Sequence, residues 1–203
     1  MCFVETGELR VAIELTTDNG EIMTSVKLQD QISAPMPRQP PSGLRPIRQE
    51  KTDSKCLTVC HYKGYIYVGQ MGGAIDRIDQ HGRVTKAFIK LSDHAMSISA
   101  YDDQLFSLMF RDSRVHTHSL QSRECLRSWE HLQFGNYGQR IVVIRSENQL
   151  AVGDRRSTQI TIYSLTGEVI RKVLCPPSLI MSDAVCMSSC GDDSVVISDR
   201  LAG

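Results

Sequence analysis

From residue 56 onward the chain alternates apolar and polar positions in short runs, and the runs return in the same order about every 40 to 45 residues. The segments CLTVCHYKGYIYVGQ, MSISAYDDQLFSLMF, IVVIRSENQLAVGDR and CMSSCGDDSVVISDR each hold one apolar stretch, a polar turn and a second apolar stretch. Alternation with a period of two places successive side chains on opposite faces, which is the pattern of a β-strand. Aligned without gaps, Ile66, Leu105, Leu150 and Val195 take one place in the second stretch, and the last three are spaced in equal steps of 45. Nine residues before these anchors lie Leu57, Met96, Ile141 and Cys186, and seven before lie Val59, Ile98, Val143 and Ser188. All eight are expected on one strand face. The turns between, HYKGY, YDDQ, RSENQ and CGDDS, carry the Gly, Asp and Asn that tight hairpins need for positive φ or Asx geometry. Asp102-Asp103 and Asp192-Asp193 are read as turn formers rather than as an acid and base pair.

A third strand is expected in three copies, within Ala74 to Val84, Val115 to Cys125 and Gln159 to Ile170, and EVIRKVL supplies a fourth strand in the third copy. A four-stranded unit recurring at this period is a propeller blade. The expected fold is all-β: a partial β-propeller of about three and a half four-stranded blades, at 56–91, 92–134, 138–180 and 181–203. Propellers close with about four to eight blades, and an open arc leaves unpaired strand edges. The chain is therefore expected to be a piece of a longer propeller, ahead of oligomeric completion of the ring or a small open array.

Upstream the pattern changes. ELRVAIEL and EIMTSVKL alternate around Asp18-Asn19-Gly20, which predicts a β-hairpin within residues 1–33. Residues 34–55 hold five of the seven prolines and are expected to form an extended linker.

Composition narrows the functional classes. Lys plus Arg and Asp plus Glu each number 23, so the formal net charge is +0, and residues 51–203 carry 18 basic against 16 acidic side chains. That balance lacks the strong positive excess of a dedicated nucleic-acid binder. No apolar run approaches a membrane span, and the N-terminus lacks a signal-peptide pattern, so no membrane partner is expected and the cytoplasm is the expected compartment. The seven cysteines make a poor disulfide framework. Cys56/Cys60 and Cys186/Cys190 have C-x3-C spacing, but on a strand that separation is about 13 Å, too far for two thiolates on one metal. His116 and His118 share a strand face without a third ligand and are read as a solvated or hydrogen-bonded pair. Trp129, the single tryptophan, is expected to pack between blades. No cofactor or metal site and no small-molecule substrate is evident.

The stretch LAVGDRRSTQITIYSLTGEVIRKV resembles an NHL repeat, an apolar strand ending in Asp followed by Asn, Arg, an aliphatic residue and a closing Gly. Asp154 stands in the Asp place, Ser157 in the Asn place and Gln159 in the Arg place, while Ile160 and Gly167 match. The second repeat departs at Met109 and approximates the remainder with Asp112, Arg114 and Val115; the fourth keeps Asp199, and the first keeps only IDQHG at Ile78 to Gly82. A Pro-rich segment before NHL-like blades resembles the C-terminal part of tripartite-motif proteins. The resemblance implies a partner-recognition propeller, with ubiquitin-ligase activity only in a longer parent carrying a RING, and some propellers of this type bind RNA.

Loops at equivalent places in successive blades gather on one face of a propeller. Five and six residues after the anchors stand Met71 and Gly72, Phe110 and Arg111, Arg155 and Arg156, Arg200 and Leu201. Arg111, Arg155, Arg156 and Arg200, with Arg114 from the NHL-like core, are the candidate binding residues, because a guanidinium fork suits bidentate contact with carboxylate or phosphate. The alternative is local pairing with Asp112, Asp154 and Asp199. The leading expectation is a non-catalytic protein-interaction module; an RNA-binding propeller is second. A hydrolase with a central metal is third, since Leu57, Met96, Ile141 and Cys186 offer no cage where inward ligands would be needed.

Overall fold

A computed structural model describes residues 11–16, 22–28, 48–50, 54–112, 114–131, 140–153, 159–174, 186–190 and 194–198, all of it strand and turn among these residues. The chain divides into two units, Met1–Cys56 and Leu57–Gly203. In the first, β1 (Val11–Thr16) pairs antiparallel with β2 (Ile22–Leu28). The hairpin expected there is present, while its Asp-Asn-Gly turn lies outside the described residues. A short β3 (Arg48–Glu50) pairs parallel with β2, so the segment read as linker also contributes a strand.

The second unit is built from successive antiparallel sheets. The first comprises β4 (Cys56–Tyr62), β5 (Tyr65–Gln70), β6 (Ala74–Ile78) and β7 (Val84–Lys90). The second comprises β8 (Ala95–Tyr101), β9 (Gln104–Met109), β10 (Arg114–Ser119) and β11 (Cys125–Glu130). The third comprises β12 (Arg140–Ile144), β13 (Gln149–Gly153), β14 (Gln159–Ser164) and β15 (Val169–Leu174). A two-stranded sheet follows, β16 (Cys186–Cys190) with β17 (Ser194–Ser198). Each four-stranded sheet runs in chain order from its first strand to its last, the up-and-down order of a propeller blade. The fold is all-β and of partial-propeller type. Each stretch read as one third strand is shorter, ending at Ile78, Ser119 or Ser164, followed by a turn into the fourth strand.

The anchors explain why the sheets stack. Leu105 is fully buried with Tyr67, Ile75, Phe88, Ile89, Ala95 and Ile98, so it faces the preceding blade. Leu150 does the same against Phe106, Leu108 and Val115, together with Ile141 and Val143. Val195 packs on Val142, Ile144, Ala151, Ile160 and Ile162 of the third blade. Three equivalent residues thus fill three equivalent seams, and burial of their apolar area holds the array together at about 25 cal/mol per Å².

The gapless register fails in the fourth sheet. Val143 pairs with Leu150 across a four-residue turn, whereas Ser189 pairs with Val195 across three. An odd change in turn length moves every side chain of a strand to the other face. Met187, rather than Cys186 or Ser188, therefore takes the anchor's face by register, and it is buried in the seam. In the second blade Met96 falls in a bulge between Ala95 and Ser97.

The turns take the expected chemistry. Lys63, Asp102, Asp103 and Asn148 have φ between +47° and +54°, and Gly64 has +75°. Asp103 does more than turn the chain: its carboxylate meets Lys63 Nζ at 2.9 Å and its N–H donates to Tyr62 Oη at 3.0 Å. Tyr101 Oη donates to Asn148 Oδ1 at 2.8 Å one blade later. Each tyrosine closing a first strand thereby clasps the hairpin of the next blade.

Candidate binding face

The β5–β6 turn, the β9–β10 connection and the β7–β8 loop lie at one end of their sheets, because all follow from strands running in equivalent directions. In the first blade Gly73 has φ +74°, its N–H donates to Gln70 O at 3.2 Å and its carbonyl accepts Leu91 N–H at 2.7 Å. That bond ties the turn to the loop entering the second blade and leaves Met71 56% exposed at the tip.

In the second blade Phe110 N–H donates to His94 O at 3.1 Å, and the two rings stack at 4.6 Å with planes 24° apart. Asp93 Oδ1 accepts the His94 N–H at 2.8 Å and stands 2.8 Å from His94 Nδ1. The His94 backbone N–H lowers the Asp93 carboxyl below its usual range against the opposing effect of burial, and the nearby charges of His94 and Arg111 act in the same direction. Arg111 is exposed, and its charge reaches Asp93. Asp112 is engaged with His116, whose Nε2 donates to Oδ2 at 2.8 Å. The His116 ring lies 6.4 Å from that of His118, and burial pushes the His118 imidazole down to about 4.

The candidate arginines separate in position. Arg111 is on the loop end. Arg114 opens β10, half-buried, and its Nη2 donates across the sheet to Ser128 O at 3.3 Å. Arg155, Arg156 and Arg200 lie outside the described residues, as do Asp154 and Asp199.

Sequence reasoning missed Asp93 and His94, which sit beside the Phe110–Arg111 connection, and it missed a polar ladder between first strands. Thr58 Oγ1 accepts Ile98 N–H at 3.1 Å, Ser97 Oγ accepts Ile141 N–H at 3.1 Å, and Ser99 Oγ accepts Val143 N–H at 3.3 Å. Hydroxyls of one blade thus satisfy edge N–H groups of the next, which would otherwise be buried and unpaired. The available signal was the hydroxyl at offset eight from the anchor, Thr58 and then Ser97, inside otherwise apolar strands.

Trp129 packs in the seam between the second and third blades. Gly167, with φ +101°, lies beneath it, and a Cβ there would fall 2.6 Å from Trp129 Cδ2. Beside them His131 Nδ1 and Tyr163 Oη are 2.8 Å apart, and burial, aided by the charge of Lys172, pushes the His131 imidazole down to about 4. Cys60 is a free thiol, and burial pushes it up to about 12 against the opposing charge of Arg145. Among the described residues no group of three or more His, Cys, Asp or Glu is placed to hold a metal ion.

This order of sheets defines a β-propeller-type fold, and solved structures share it. Virginiamycin B lyase from Staphylococcus aureus superposes with a TM-score of 0.57 at 16% identity over 96% of this chain and 60% of the lyase. Its catalytically inactive H270A form with quinupristin gives 0.59 at 14% identity over 94% and 66%. The WD40 repeats of RRP9 give 0.51 at 12% identity over 68% and 43%. The chain thus spans 43 to 66% of the length of these propellers. No protein-family model matches the sequence, and no curated protein matches it. At such identities the likeness extends to the fold alone.

Proposed function

We propose that the chain is a non-catalytic protein-interaction module whose blade-end loops recognise a partner, in the manner of the propellers of tripartite-motif proteins. The observation that carries this reading is the loop end of the second blade, where an exposed Arg111 lies in the field of a braced, ionised Asp93, with the exposed Met71 at the same end of the first blade. Rigid sheets that vary only in their connecting loops are suited to recognition. A photo-crosslinking side chain introduced at Met71 or Arg111 is expected to capture a protein partner, whereas one at Asp102, on the opposite end, is not. Equal capture from both ends overturns the reading, as does stoichiometric metal in the purified chain.

RNA is the second ligand the arginines fit. That reading needs Arg111, Arg155, Arg156 and Arg200 to act together, and it predicts filter binding of a single-stranded RNA that weakens steeply with salt and is lost on Arg111→Glu. Retention that is indifferent to salt counts against it.

A further inference from the structure

We propose that the outer edge of β15 is a docking strand that takes up an extended acidic and aliphatic segment of another protein by β-augmentation. β15 is the last strand of its sheet, so one row of its backbone N–H and C=O groups has no partner strand among the described residues. All six of its residues are exposed. Val169 is 52% exposed, Ile170 48%, Val173 42% and Leu174 73%.

The equivalent strands of the other blades do not look like this. In β7, Phe88 and Ile89 are buried, and Arg77 and Arg123 sit over the Phe88 ring at 4.3 and 4.8 Å. In β11, Leu126 is the one large aliphatic that is exposed. The third blade therefore departs from the rule of its own repeat, concentrating four exposed aliphatics on one free edge. Soluble proteins blunt such edges or use them.

Charge selects the occupant. Arg171 and Lys172 stand at the centre of the strand with two aliphatic residues on either side. In register, Arg171 and Val173 share the face of Ile162 and Ile160, and Lys172 shares that of Thr161, so each face presents a cation. A second copy pairing antiparallel about the strand centre would set Arg171 against Lys172, and like charges directly opposite destabilise a pair. A segment with two central carboxylates and β-branched flanks meets both cations and keeps the aliphatic contacts. The Glu147 carboxylate already lies 3.3 Å from Arg171 Nη2. Both groups are roughly half exposed, so that pair is readily exchanged for an incoming acid.

The test uses the whole 203-residue chain and a fluorescein-labelled octapeptide with two central glutamates, two valines on each side and a threonine at each end. The control peptide carries two central lysines. Anisotropy is expected to show the glutamate peptide binding about tenfold more tightly, equivalent to about 1.4 kcal/mol, with slowed amide exchange confined to 169–174 and its pairing strand. The paired substitution Arg171→Glu and Lys172→Glu is expected to reverse the preference, while Arg111→Glu leaves it unchanged, which separates this edge from the loop-end reading. Because the peptide exchange is made on the unaltered chain, the result does not depend on the variant folding. Equal binding of the two peptides, no binding of either at millimolar concentration, or protection elsewhere overturns the proposal. Sedimentation showing a dimer with 169–174 protected assigns the edge to a second copy and overturns it as well.

Discussion

Replacing Ser97 by Ala removes one oxygen from the seam between the second and third blades and tests the hydroxyl ladder directly. Ser97 is 5% exposed and its Oγ accepts Ile141 N–H at 3.1 Å, while Ile141 is 2% exposed. The side chain shrinks by a single atom, so the lost packing is small. The main cost is a buried N–H left without a partner, about 1 to 3 kcal/mol. For a chain of this length each kcal/mol lowers the melting midpoint by about 2 to 4 °C, so a central loss of about 2 kcal/mol predicts a drop of about 4 to 8 °C. Trp129 reports on the event, since the single tryptophan packs in the same seam. Urea titration followed by its emission should show a lower midpoint for Ser97→Ala. Ser122→Ala removes an exposed hydroxyl that accepts Glu124 N–H at 3.4 Å and should move the midpoint by no more than about 0.5 kcal/mol. Ser99→Ala should fall between, because its bond is longer at 3.3 Å and its side chain half-buried. A Ser97→Ala midpoint equal to that of the unaltered chain refutes the ladder as a source of cohesion.

Three further outcomes follow from the same geometry. His131 and His118 are both held near 4, below the ordinary value of 6.5; the unfolded chain then binds more protons between these values, so stability is complete above about pH 6.5 and declines toward pH 4. Urea midpoints measured across that window should fall with pH, and His131→Gln should flatten the dependence. Gly167→Ala forces a Cβ to 2.6 Å from the Trp129 ring at a φ of +101°, and should cost about 2 to 3 kcal/mol with a shifted Trp129 emission; an unshifted spectrum at unchanged stability counts against that contact. Lys63→Met removes an ion pair whose members are 60% and 62% exposed, and thermal denaturation at low salt should not detect the change.

Much of the fold could be read from the chain because the anchors obey one simple rule. Leu105, Leu150 and Val195 recur at a fixed step, and each faces the preceding blade. The fourth strands of the first two blades were harder to find for physical reasons. VTKAFIK turns through Ala87, whose φ is +46° and whose N–H donates to the buried Asp76 carboxylate at 2.7 Å, so its alternation is broken. CLRSWE is exposed over its first three residues and only half-buried at Ser128 and Trp129, so its pattern lacks the clear alternation of the inner strands. Parity in the fourth sheet was lost because gapless alignment does not register a turn shorter by one residue. At the candidate face, offset counting pointed to Arg111 and to Asp112, but it had no signal for Asp93, which feels the charge of Arg111 from a different loop, or for the His116 contact that Asp112 makes.

The hydroxyl ladder runs out partway along the array. Where Thr58 and Ser97 reach toward a following strand, the third blade has Val142, and in place of Ser99 it has Ile144; both are buried against Met187. The earlier junctions are keyed, since a sheet displaced by one residue would lose its N–H to oxygen matches. At the last one the first strand of the third blade has no hydroxyl at these positions, and the described side chains that meet there are apolar. An exchange of blades between related chains, by swapping or by grafting, is therefore tolerated best after Leu174, and a cut between the first and second or second and third sheets would expose stranded amides on one side and idle hydroxyls on the other.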